Sequence, residues 1–272
     1  MTKPRGQEDT STMKYNSFGF TEQGEARSHN EDCFVRNHEL GLFLVADGMG
    51  GAPSGETASS LALRHVEEFF VQSQDRDVKW PITPREDLTF EQNRLRAAVL
   101  LANKRIRDMA RKESSMKGMG TTLVGGLIED DHLAAVNVGD SRLYRVRNKE
   151  ITQITQDHSL VGEKKRRGML TNEESRNHPQ RHILTSALAA MERPKIDFYL
   201  PDILPEDLFI ACSDGVHNVL ADEEILATVN SISDRSLYKM GLSLVLKAKL
   251  AGGMDDMTVL ILSFEPEQEK GA

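Results

Sequence analysis

A chain of 272 residues, 39% hydrophobic and 28% charged, holds enough apolar material for one large domain or two small ones. Its formal net charge of −8 excludes a broad nucleic-acid-binding surface, and no stretch approaches the ~18 consecutive apolar residues of a membrane span. Residues 1–14 carry no apolar run and read as a flexible tail rather than a secretory signal. Cys33 and Cys212 sit in strand-like contexts and read as buried free thiols of a reducing compartment, so a cytoplasmic protein is expected.

Residues 15–20 read as a first strand, followed by the polar, turn-rich TEQGEARSHNED that ends in Asn30-Glu31-Asp32. Residues 33–36 and the apolar run 42–46 read as strands paired across a turn at 38–41. That run leads straight into Asp47-Gly48, a turn signal, and Gly48, Gly50, Gly51 and Gly55 with Pro53 read as a flexible loop. Ala58, Leu61, Ala62, Val66, Phe69 and Phe70 keep a helical period over 56–71. Pro81 and Pro84 break the chain before a longer apolar stripe, Leu95, Ala98, Val99, Ala102, Ile106 and Met109, which predicts a helix near 89–112. Residues 121–128, 132–138, 142–147 and 151–154 read as an antiparallel meander, turning at Glu129-Asp130-Asp131 and interrupted by Gly139-Asp140-Ser141.

Residues 157–181 are polar and basic, with Lys164-Lys165-Arg166-Arg167 and a short helix at 172–177, and read as a solvated insertion. Strands return at 196–200 and 207–212, the second leading into Ser213-Asp214-Gly215 as the run at 42–46 leads into Asp47-Gly48. Helices are predicted at 222–230 and 236–251, with Asp222 and Asp234 as N-caps and Gly252-Gly253 as the stop. Met254-Asp255-Asp256-Met257, a strand at 258–264 and a frayed tail at 265–272 complete the chain. Strands cluster with strands and the helices come in two pairs, which favours one α+β layered domain over an alternating parallel fold.

Asp47, Asp140, Asp214 and Asp255-Asp256 each stand at the start or end of a predicted strand, and Asn30-Glu31-Asp32 is a further acidic turn. If the strands before Asp47 and Asp214 lie side by side, the two carboxylates share one end of the core. At about 4 Å they repel by roughly 4 kcal/mol for an effective dielectric near 20, which calls for a proton or a cation between them. Zinc spacing is absent, and an all-oxygen set suits magnesium or manganese. Two such ions hydrolyse phosphoryl groups, and Arg27 is the fork for the phosphate oxygens. Each Asp taken alone is equally a turn former, so spacing leaves the convergence open. His29 reads as a turn residue, His158 as structural and His217 as a cap on the Asp214 turn. Met49, Met254 and Met257 read as packing, because thioethers do not suit hard cations. Gly120-Thr121-Thr122 either cradles a phosphate or packs closely against the site strands, and the 164–167 run is either solvated or substrate-facing.

ARSHNED at 26–32 resembles the R-x-x-N-E-D opening of the metal-dependent, type 2C (PPM) serine/threonine protein phosphatases. VADGMGG at 45–51, GTT at 120–122, VGDSR at 138–142, SDGV at 213–216 and GGMDDMTV at 252–259 are similar to that family's other motifs, in order, so the likeness spans about 15–264. The resemblance implies a four-layer α/β/β/α sandwich, a central antiparallel β-sandwich flanked by helix pairs, as a single phosphatase domain over 15–264 with a flap at about 157–189. It implies that Asp47 bridges two Mn2+ or Mg2+ ions, that the Gly48 carbonyl helps hold the second and that Asp214 and Asp255 complete the first. Glu31 and Asp32 would support the second ion, partly through water, and Arg27 would bind the substrate phosphate. As in bacterial-type members, a third, weaker ion would sit near Asp140 with help from Asp214. Catalysis would then fall to Arg27, Asp47 and Asp214, with metal-activated water hydrolysing phosphoserine and phosphothreonine in proteins and reversing a serine/threonine kinase. A monomer with no nucleic-acid partner is expected.

The alternative is a regulatory or binding module on the same fold that has lost catalysis; a calcium-stabilised domain is weaker, since EF-hand spacing is absent. Three departures stand out. Met49 occupies a position where many eukaryotic members have His, Asp256 replaces the usual Asn, and HILTSALA at 182–189 matches T-R-A-L-G loosely, with Ser186 where Arg is common.

Overall fold

The computed structural model describes residues 13–51, 54–73 and 81–265. Pro53 and most of both expected tails lie outside these residues, while Lys14 and Glu265 belong to strands. In chain order, β1 (Lys14–Glu22), β2 (Asp32–Asn37) and β3 (Leu42–Met49) precede helices α1 (Ser54–Gln72) and α2 (Phe90–Lys112). Then come β4 (Gly120–Thr121), β5 (Leu123–Glu129), β6 (His132–Val138), β7 (Arg142–Arg147) and β8 (Glu150–Gln153), followed by the short helices α3 (Leu160–Arg166) and α4 (Asn172–Arg176). The chain closes with β9 (Asp197–Tyr199), β10 (Leu208–Cys212), α5 (Asp214–His217), α6 (Asp222–Asn230), α7 (Leu237–Leu250) and β11 (Met257–Glu265).

Two antiparallel sheets face each other, one in the order β1-β11-β10-β7-β8 and the other β2-β3-β5-β6-β9, with β4 beside β3. Strand β3 shows why the sequence reads as a continuous apolar run. Phe43 and Val45 enter the layer between the sheets, while Leu42, Leu44 and Ala46 pack under α1 and α2, so both faces are buried. Strand β11 does the same on the other sheet: Leu260, Leu262 and Phe264 face inward, and Val259 and Ile261 lie under the outer helices with Leu244 and Val245 of α7. The result is the expected α/β/β/α stack. Helix α2 begins as its sequence dictates: Thr89 accepts the Gln92 N–H through its hydroxyl, and the Gln92 side chain accepts the Thr89 N–H in return.

Several local expectations are corrected. The meander does not continue past β6, because β6 pairs with β5 and β9 whereas β7 pairs with β8 and β10 in the opposite sheet. Gly139-Asp140-Ser141 is the crossing between sheets, and Gly139 turns it at φ 105°, a region that favours glycine. Asp47-Gly48 is not a turn. Strand β3 runs on to Met49, pairing with β4, and a Cβ at Gly48 would collide with the Gly55 carbonyl. Ser236, not Asp234, caps α7, accepting the Lys239 N–H, while Asp234 accepts the Ser236 N–H and pairs with Lys239. Asp222 is the first residue of α6 rather than its cap, because its carboxylate is drawn away to the Tyr144 hydroxyl. Most of the basic run lies on α3, which Ser159 caps. Met254 is exposed instead of packed, and of the two free thiols only Cys212 is fully buried.

Candidate metal centre

The acidic residues gather at one end of the sandwich. Asp47 comes near the end of β3, Asp140 from the crossing after β6, Asp214 from the first residue of α5, Asp255 from the loop before β11, and Arg27 and Glu31 from the loop after β1. All six line one cavity of about 200 Å3, together with Gly48, Thr122, His182 and Leu184. The strands before Asp47 and Asp214 are not neighbours in one sheet. They belong to opposing sheets, so the two carboxyl groups approach within proton-sharing reach across the seam.

Hydrogen bonds fix the frame around these side chains. Thr122 accepts the Asp47 N–H at 3.0 Å, and the Thr121 hydroxyl donates to the Asp47 carbonyl at 2.9 Å. Gly120-Thr121-Thr122 therefore clasps the backbone of β3. Asp32 lies opposite Asp47 on β2, buried, and accepts from the Ser213 hydroxyl at 2.6 Å. The Glu31 carbonyl accepts the Gly48 N–H at 3.1 Å and the Ser59 hydroxyl at 2.6 Å. Arg27 donates to Asp255 through Nε at 2.7 Å, its Nη2 lies 2.6 Å from the same oxygen, and it stands 3.6 Å from Glu31.

Asp256, which replaces the family's usual Asn, neither lines the cavity nor faces water. It is buried, and its two oxygens accept the Gly24 N–H at 2.9 Å and the Glu31 N–H at 2.8 Å. It pins the loop that presents Arg27 and Glu31. His217 caps no turn at Asp214 and reaches the Asp140 carbonyl with Nε2 at 2.9 Å. Burial, reinforced by Arg142, holds its pKa down at about 3, so the ring is neutral and Nε2–H is the donor. His182 lines the cavity from the flap and was missed as a site residue; its position outside every acidic motif gave no signal.

The electrostatics are those of crowded acids. Burial pushes Asp47 well above the usual carboxylate range, and the charges of Asp32, Asp214 and Asp140 push it further. Asp32 and Asp140 are raised in the same way, and Asp214 reaches about 6 through burial and Asp255. Glu31 is raised by burial against the pull of Arg27. Two buried acceptors, Glu31 Oε2 and Asp32 Oδ1, have no hydrogen-bond partner. Buried carboxylates with unfilled lone pairs and raised proton affinity suit a hard divalent cation. Among the described residues no three of these side chains are drawn about one point closely enough to hold an ion as they stand, and Asp255 is meanwhile engaged by Arg27.

The family profile of protein phosphatase 2C matches residues 25–250. The chain belongs to the protein phosphatase 2C family. A serine/threonine phosphatase stp of Listeria welshimeri is 34% identical over 245 residues, covering 89% of this chain and 93% of that one. Among solved structures, the serine/threonine phosphatase PstP/Ppp of Mycobacterium tuberculosis matches with a TM-score of 0.79 at 30% identity, over 92% of this chain and 99% of that one. The catalytic domain of serine/threonine protein phosphatase PstP in complex with two manganese ions matches with a TM-score of 0.78 at 30% identity, over 93% and 100%. The sandwich and the resemblance read from the motifs are both borne out in this protein phosphatase 2C chain.

Proposed function

We propose that this protein phosphatase 2C member is a bacterial-type, manganese- or magnesium-dependent enzyme that hydrolyses phosphoserine and phosphothreonine in proteins. The observation that carries the reading is the lining of one cavity by Glu31, Asp47, Asp140, Asp214 and Asp255 beside Arg27. Asp47 and the Gly48 carbonyl would hold two ions between them, Asp214 and Asp255 would complete one site, and Glu31 and Asp32 would support the other. Asp140 with Asp214 would hold a third. When bound, such ions supply Lewis-acid polarisation and a water activated at neutral pH.

The remaining steps fall to the chain itself. Arg27 forks onto two phosphoryl oxygens and so fixes the phosphate against the carboxylate wall. Met49 offers no proton, and the departing seryl or threonyl oxygen takes one from water or from His182, the histidine lining the cavity, whose protonated form burial and Arg181 disfavour. The alcohol leaves protonated, phosphate retains the oxygen from water, and the proton donor is replenished from solvent. Phosphoproteins made by a serine/threonine kinase as substrates, monomeric action and a cytoplasmic location belong to the same proposal. Among the described residues no helix is long and apolar enough to cross a membrane.

The deciding experiment measures hydrolysis of p-nitrophenyl phosphate and a phosphothreonine peptide in EDTA, then with added manganese or magnesium. Turnover should return with the metal and fall about a thousandfold, ~4 kcal/mol in barrier, in Asp214→Asn. A folded, manganese-binding wild type without turnover would favour the regulatory module instead.

A further inference from the structure

Beside the carboxylate cavity lies a second, wider hollow of about 410 Å3, and Arg27, His182 and Asp255 line both. Its outer wall belongs to the flap: Arg176 at the end of α4 and Arg181 in the turn that follows. Neither guanidinium makes an ion pair or a side-chain hydrogen bond among the described residues. By contrast, Arg142 pairs with Asp157, Arg147 with Asp207 and Arg94 with Glu91. The one carboxylate lining the hollow is Asp255, which Arg27 already holds. Both arginines also line the neighbouring hollow under α3 and α4, and none of its carboxylates (Asp140, Asp157, Glu173, Asp222 and Glu223) makes an ion pair with either. On a chain of net charge −8, a positive recess opens directly beside the proposed phosphate site. Exposed Met254 and half-buried Val219 give it an apolar floor.

A pair of unpaired guanidinium groups in a concave, partly desolvated recess is an anion receptor. We propose that this hollow is a second anion subsite, engaging a carboxylate or a second phosphoryl group on the same peptide whose phosphoresidue occupies the carboxylate cavity. The inference rests on the phosphatase reading and extends it to the substrate: preferred phosphoproteins carry acidic or doubly phosphorylated segments. The two hollows share Arg27, His182 and Asp255, so on an extended peptide, which advances about 3.3 Å per residue, the second anion stands close in sequence to the first. The apolar floor takes an intervening side chain.

The test uses the manganese-loaded chain and three peptides that share one scissile phosphothreonine. One has neutral neighbours, one has flanking aspartates, and one carries a non-hydrolysable phosphonate at a flanking position. Wild type should favour the anionic peptides in kcat/KM by about tenfold, the factor one charge-assisted hydrogen bond supplies. The preference should appear in KM and shrink with added salt. In the Arg176→Ala/Arg181→Ala double variant, the ratio of anionic to neutral peptide should fall to about one, each value taken relative to that variant's own p-nitrophenyl phosphate turnover. Preference for both anionic peptides identifies a general acidic subsite, and preference for the phosphonate alone identifies a phosphoryl subsite. A wild type that turns over p-nitrophenyl phosphate but treats the three peptides alike overturns the subsite, as does a double variant that keeps the ratio. Absence of all turnover overturns the phosphatase reading itself.

Discussion

Asp255 and Asp256 are identical in sequence and opposite in use. Asp255 keeps about a third of its side chain exposed at the cavity, while Asp256 turns inward and accepts two backbone N–H groups. Hydrogen bonds to a charged acceptor contribute about 1.5–3 kcal/mol each, so Asp256→Ala should lower unfolding stability by roughly 3 kcal/mol. It should also weaken manganese binding, because Glu31 and Arg27 lose their support. Denaturant unfolding and calorimetric titration read the two effects; an unchanged midpoint would remove Asp256 from this role. The family motif pointed Asp255 at the metal and left Asp256 without a role, since nothing in the pair itself says that the second carboxylate faces a loop 225 to 232 residues away in the chain. His182 was illegible for a similar reason: only the fold of the flap carries it to the cavity. Its substitution His182→Gln should slow a phosphothreonine peptide by about a hundredfold and p-nitrophenyl phosphate far less, because a good leaving group needs little help from an acid. Equal loss on both substrates would show that the ring does something other than donate a proton.

The elements were legible where burial imposes a pattern on a short stretch. The stripe of α2, the two-faced apolar runs of β3 and β11 and the pairing of β2 with β3 all follow from local sequence. What failed was partnership: β6 and β7 are adjacent in the chain yet lie in different sheets, and no periodicity states which strands pair at long range. The flap shows the same division. Its polar composition was plain and His158 read as structural, but the groups that residue holds were not legible. His158 is fully buried, accepts the Gly139 N–H on Nδ1 at 3.2 Å and meets Asp197 through Nε2 at 3.0 Å. Its own N–H reaches the Gly139 carbonyl, and its carbonyl accepts the Thr185 N–H. His158, through its ring and its backbone together, thus ties the flap to the crossing that carries Asp140. His158→Ala should cost about 2–3 kcal/mol of stability through lost buried hydrogen bonds. It should raise KM for a phosphopeptide more than for p-nitrophenyl phosphate, which barely touches the flap; equal changes would detach His158 from flap position.

For the whole molecule, the crowding of acids sets a pH dependence. An unfolded aspartate titrates near 3.9, whereas Asp214 in the folded chain titrates at about 6 and Asp47, Asp32 and Asp140 are also raised. Between those values the folded state binds more protons than the unfolded state, so stability is greatest below about pH 4 for these groups and is lost as pH rises through 6. In EDTA the thermal midpoint should therefore fall across that window. Manganese should offset the fall increasingly toward neutral pH, because it binds the deprotonated carboxylates and stabilises by mass action. A metal-free midpoint that rises with pH over the same range would contradict the crowded-acid account.

The pairing of β1 with β11 fixes how this catalyst can be mounted. Lys14 lies opposite Glu265, and Glu22 lies opposite Met257 beside the acidic loop. Entry and exit of the folded domain are thus neighbours, about 26 Å from the carboxylates at 3.3 Å per strand residue. A tether, a solid support or a fused domain attached at either strand end would hold the sandwich by its base and leave the reactive end facing outward.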